Sequence, residues 1–140
     1  NAEFDMKWFG LKKLPQIEKQ WICSMDDITW PADRQLKTRP SVRDLALAYG
    51  VPVWNAHRAL TDCIYLAEVF KRCSELEKLL IRALEPKILL RAEISYEERY
   101  LAKSAGFRWN DAIKGAWSKR MSRRDMEKLE FPVREVDFNA

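Results

Sequence analysis

The stretch HRALTDCIYLAEVF, residues 57–70, decides how the first half of the chain is read. It opens on His57, the one histidine of the sequence, and Asp62 follows five residues later. From here Leu60, Ile64, Ala67, Phe70, Cys73, Leu76 and Leu80 recur at helical spacing with charges between them. That periodicity predicts one long amphipathic helix over 57–84. A lone histidine at a helix start is most often a cap or a surface residue. Asp62 is more suggestive, because Ala59, Leu60, Cys63 and Ile64 around it are small or apolar. A carboxylate in such surroundings is costly to bury without a cation or a donor.

Upstream, SVRDLALAYG at 41–50 carries its own end signals. Ser41 suits an N-cap, Asp44 sits at N3 where an acid complements the helix dipole, and Gly50 can close the C-terminus. WICSM at 21–25 reads as a short buried strand, and MKWFGLKK at 6–13 as a short helix. Between them and the capped helix, Pro31 and Pro40 bound a loop over 26–40. The chain opens on NAEFD at 1–5.

NAEFD, a strand, a short helix and then HRALTD entering a long helix resemble the DEDDh exonucleases. That superfamily contains the proofreading epsilon subunit of bacterial DNA polymerase III and ribonuclease T. NAEFD looks like its second motif and HRALTD like its third, in the right order. The resemblance covers residues 1 to roughly 80, within a partial exonuclease domain expected over 1–86, and implies an RNase H-like α/β fold that removes nucleotides from a DNA or RNA 3′ end. It implies Asp5 and Asp62 as ligands of Mg²⁺ or Mn²⁺ and His57 as the general base, with Phe4 packed beneath the site; Arg58, next to the base, either faces a phosphate or, the reading favoured by its type and place, is an exposed helix arginine. Hard oxygen ligands suit those ions, and a histidine that titrates near neutrality suits water activation.

The first motif of that family, Asp-x-Glu on an opening strand, is expected upstream of Asn1. No strand of this sequence carries it. The expected fold class is therefore the C-terminal part of an RNase H-like exonuclease fold followed by a small α+β domain. With two of four carboxylates, the isolated chain is expected to bind metal weakly, to have little nuclease activity and to expose apolar helix faces. The expected partners are a nucleic-acid 3′ end and a DNA polymerase or an upstream part of the same protein. A second functional class stays open: a non-catalytic module that binds nucleic acid or a replication partner.

Pro86 ends the helical pattern, and a small α+β unit is expected over 87–140. Its elements read as strand KILLRAEIS, helix SYEERYLAKSAG, strand FRW, turn NDAIKG, strand AWSKRM, capped helix SRRDMEKLE and strand VREVDF. The run AKSAGFRWNDAIKGAWSKRM is similar to small uncharacterised domains sometimes appended to nucleic-acid enzymes. In so small a unit, Phe107, Trp109 and Trp117 are expected to form the core. The functional alternative makes some of them a stacking platform, with Arg108, Lys114, Lys119, Arg120, Arg123 and Arg124 on phosphates.

Composition sets the outer limits. Of 140 residues, 47% are hydrophobic and 33% charged, which excludes a disordered chain. No apolar run approaches the roughly 18 residues of a membrane span, and with no signal-like segment a cytoplasmic protein away from membranes is expected. Cys23, Cys63 and Cys73 form no CxxC pair, which argues against a disulfide framework and a thiolate zinc site. The net charge is +4. Residues 1–86 hold 13 basic and 12 acidic side chains and residues 87–140 hold 12 and 9, so the excess lies in the second unit.

Overall fold

Ser41 and Asp44 show how closely local chemistry governs the first helical pair. In the computed structural model, which describes residues 2–9, 14–55 and 58–137, the Ser41 hydroxyl accepts the Asp44 N–H at 3.2 Å. The Asp44 carboxylate in turn accepts the Ser41 N–H at 2.7 Å. This reciprocal box starts helix α2, Val42–Ala48. Gly50 ends it at φ +67°: its N–H reaches Leu47 O and the Val51 N–H reaches Ala46 O, which satisfies two terminal carbonyls.

Helix α1, Ala2–Met6, precedes this pair, so the helix expected over 6–13 lies earlier in the chain. Residues 10–13 lie outside the described residues. WICSM is not a strand. The Asp27 carboxylate takes the Cys23 N–H at 2.6 Å, and the Asp27 N–H returns to Cys23 O at 2.8 Å. Arg39 holds Asp26 by two bonds, and Trp30 Nε1 donates to Ser24 O. The two aspartates thus fold the segment into a turn that occupies the groups a sheet ladder would need.

The long helix expected over 57–84 is two helices: α3, Ala59–Arg72, and α4, Leu76–Ala83. Cys73 breaks it with extended backbone, φ −85° and ψ 103°. That turn brings its buried thiol to the Tyr49 hydroxyl, which donates to Sγ at 3.5 Å. Arg72 donates to the carbonyls of Tyr49 and Gly50, tying the end of α3 to the end of α2. The buried stripe also differs from the expected one. Tyr65 and Val69 are fully buried against Leu45, Ala46, Tyr49 and Val51, whereas Leu60 is 74% exposed. Each fully buried aliphatic side chain here contributes about 1.5–3 kcal/mol.

The chain forms two compact units, Asn1–Leu84 and Glu85–Ala140. The second contains a four-stranded antiparallel sheet of order β2-β3-β1-β4. Its strands are β1, Lys87–Ala92; β2, Arg108–Trp109; β3, Trp117–Ser122; and β4, Val133–Glu135. Helix α5, Arg99–Ser104, starts later than the sequence suggests, because Ser95 and Glu98 bond reciprocally ahead of it. Gly106, at φ +81°, closes it as Gly50 closes α2. Helix α6, Arg123–Met126, is capped by Ser122. Paired residues share a sheet face and neighbours along a strand alternate. Ile88, Leu90, Ala92, Trp117, Met121 and Val133 therefore share one face, where they join Ala102, Phe107 and Phe131 in the core of this unit.

The described residues thus form a mixed α/β protein of six α-helices and one small antiparallel sheet. No helix among them is long and apolar enough to cross a membrane.

Candidate functional site

The segment leading to HRALTD is anchored from within the first core. Tyr65, fully buried on α3, accepts the N–H of Trp54 at 2.8 Å and of Asn55 at 3.1 Å. The Trp54 ring meets the Tyr65 ring edge-on, centroids 4.9 Å apart, and stays 64% exposed. His57 lies outside the described residues. Arg58 is exposed, with extended backbone at the N-cap of α3 and no side-chain capping bond. Asp62 is half-buried in the first turn of α3, and its N–H donates to Arg58 O at 2.9 Å. Cys63 beside it is exposed, as is Leu60. The apolar neighbours that made Asp62 look buried thus face outward, because the helix turns Tyr65 and Val69 inward instead.

Asp5 is exposed on α1. Phe4 does not pack beneath a site: it is 57% exposed and meets Trp8 edge-on at 6.4 Å. Asp5 and Asp62 stand on different helices. Among the described residues no three His, Cys, Asp or Glu side chains form a group that could hold a metal ion.

In the second unit the basic residues divide between local pairings and one face of the sheet. Lys119 Nζ donates to Ala105 O at 2.7 Å, at the C-terminal end of α5 where a cation suits the helix dipole. Arg123 pairs with Glu135 at 2.9 Å and Arg124 with Glu85 at 3.2 Å. Lys114 is exposed in the 110–115 turn, where Gly115 N–H donates to Asn110 Oδ1. Arg108 and Arg120 lie on the sheet face opposite the core, with Lys87, Arg91 and Arg134. These last three were missed in the sequence. The signal was there, in cations two or four positions apart along strands, but only the pairing register shows that they share a face with Arg108.

The aromatic trio divides as well. Phe107 is buried and Trp117 half-buried, but Trp109 is 57% exposed on the edge strand β2, its ring 5.9 Å from Trp117. The expectation that all three form the core fails at Trp109, which stands on a two-residue strand at the edge of the sheet, paired on one side by β3.

Two titrations are strongly displaced in the first unit. Lys37, 2.8 Å away, and the Ser41 N–H hold the Asp44 carboxyl down at about 2. Burial, with the Cys73 contact, pushes the Tyr49 hydroxyl up to about 12. Arg34 stacks over the Tyr49 ring at 4.4 Å.

Residues 88–136 match a family described as a domain of unknown function, DUF8626, a match that runs from β1 through β4. No curated protein and no solved structure matches the chain.

Proposed function

We propose that the first unit carries the second and third motifs of a DEDDh-type 3′→5′ exonuclease of RNase H-like fold, and that the second unit is an appended nucleic-acid-contacting domain. The observation that carries this reading is the pair NAEFD and HRALTD in family order. The anchoring of the approach to HRALTD supports it, since Tyr65 fixes Trp54 and Asn55 just ahead of His57. Asp62 stands in the first turn of α3, five residues after that histidine in the sequence.

In this reading His57 takes the proton of the water that attacks the terminal phosphodiester, and Asp5 and Asp62 are two of four carboxylates needed for Mg²⁺ or Mn²⁺. These 140 residues supply only those two, so the purified chain is expected to degrade 3′-labelled DNA or RNA slowly or not at all. Manganese is expected to broaden NMR signals around Asp5 and Asp62 at millimolar concentration, and less so in Asp62→Asn. Broadening elsewhere, unchanged by that substitution, overturns the assignment. A cytoplasmic setting belongs to the same proposal and agrees with three free thiols at Cys23, Cys63 and Cys73.

The alternative, a non-catalytic binding module, is favoured by one observation: the cations gathered on one sheet face of the second unit. Rapid 3′→5′ degradation by the chain, lost in Asp62→Ala, excludes it.

A further inference from the structure

Trp54 is fixed in place and yet left in water. Its N–H and that of Asn55 both donate to the Tyr65 hydroxyl, at 2.8 and 3.1 Å, and Tyr65 is fully buried. The two rings meet edge-on, with 82° between their planes, while 64% of Trp54 stays exposed. An edge-on contact leaves a broad indole surface open. Tryptophan is highly buried in most folds, and ordering its backbone costs conformational entropy. A flat apolar partner laid on the ring offsets both.

The place of the ring narrows the kind of partner. Asp62 and Tyr65 stand three residues apart on α3 and share a face, and a helical side chain leans toward the N-terminus of its helix. The Tyr65 phenol thus carries Trp54 toward the turn of Asp62. Arg58, the exposed N-cap of α3 and four residues after Trp54, adds a cation at the same end of the helix. Leu60 and Ile64, exposed large apolar residues of α3, stand about 140° and about 100° round the helix from Tyr65. They do not extend the Trp54 surface, and its near neighbours in the chain, Pro52 and Asn55, are exposed as well. A protein partner buries a contiguous patch, for which one ring is too small. One ring matches one base.

We propose that Trp54 stacks the 3′-terminal base of a single strand whose last phosphodiester reaches Asp62. Every base has a π-face, so such a platform accepts any terminal base and holds the strand end in position for cleavage. This role for Trp54 rests on the exonuclease reading of Asp62.

The test is an NMR titration of the whole chain with thymidine trinucleotide, with Ca²⁺ in place of Mg²⁺ so that the strand is bound rather than cut. The Trp54 indole N–H, identified by its loss in W54F, is expected to shift together with the Asp62 amide, and more with a free 3′-hydroxyl than with a 3′-phosphate. W54L is expected to weaken binding about tenfold and W54F by less. Neither is expected to change the slope of log K against log salt, because no phosphate contact is lost. Retention of part of the affinity in W54F, which keeps a ring, separates lost stacking from lost folding. A shift at Asp62 without one at Trp54, or W54L binding as tightly as the parent chain, overturns the stacking role and leaves the exonuclease reading standing. A shift at Trp54 alone, equal for the two 3′ ends, overturns that reading and the terminal-base role with it. No shift at either residue, or a Trp54 signal that moves with protein concentration because the ring packs on a second copy, also overturns the proposal.

Discussion

The hydroxyl of Tyr65 and the backbone N–H of Trp54 are joined across the first core at 2.8 Å, and the same oxygen takes the N–H of Asn55. One buried phenol thus fixes the loop that leads to His57. Tyr65→Phe keeps the ring and its packing but strands two N–H groups. The variant is expected to lose about 1–3 kcal/mol of unfolding free energy. Faster hydrogen exchange at Trp54 and Asn55 than at Val69 would locate the loss in the loop. Unchanged exchange at both amides would mean that the ring alone holds the segment.

A second prediction concerns acid. The Asp44 carboxyl is held down at about 2, first by Lys37 and then by the Ser41 N–H. A depressed carboxylate stabilises the fold fully above the ordinary carboxylate range, and the contribution fades as pH falls toward 2. Lys37→Ala is expected to raise the Asp44 midpoint in an NMR titration and to shrink that acid-dependent loss. Ser41→Ala removes the cap itself and costs about 1 kcal/mol at neutral pH. An Asp44 midpoint in the ordinary range with Lys37 present would contradict the pairing.

The capped helix α2 was legible because each of its signals is local. Ser41, Asp44 and Gly50 act on groups within a few residues of themselves. The break at Cys73 was not, since its cause is Tyr49, 24 residues away. WICSM has strand-like composition, yet the deciding groups are the side chains of Asp26 and Asp27 just after it. In the second unit the order of strands and helices could be read from turns and glycines. The basic face could not, because register depends on pairing between strands far apart in sequence.

The buried stripe of α3 gives a third prediction. Leu60 belongs to the periodic apolar set but is 74% exposed, whereas Val69 is fully buried. Leu60→Ala is expected to change stability by no more than about 0.5 kcal/mol. Val69→Ala removes buried methyl groups and is expected to cost about 2 kcal/mol. Urea unfolding of the two variants decides between the stripes. A larger loss at Leu60 than at Val69 would restore the helix face read from periodicity.

A last prediction separates packing from recognition among the aromatics of the second unit. Phe107 is 2% exposed and meets Phe131 edge-on at 5.4 Å, so Phe107→Ala is expected to cost about 3–5 kcal/mol. Trp109 shares the strand pairing with Trp117 but keeps 57% of its surface in solvent. Trp109→Ala is expected to cost about 1 kcal/mol, the scale of a lost cross-strand aromatic pair. If a base stacks on that ring, the same substitution weakens single-strand binding by about 1–3 kcal/mol while the salt slope stays put, because no phosphate contact is lost. The two readouts must therefore part company: Phe107 in stability, Trp109 in binding. A Trp109→Ala chain that melts as early as Phe107→Ala would make the ring part of the core and remove the stacking surface.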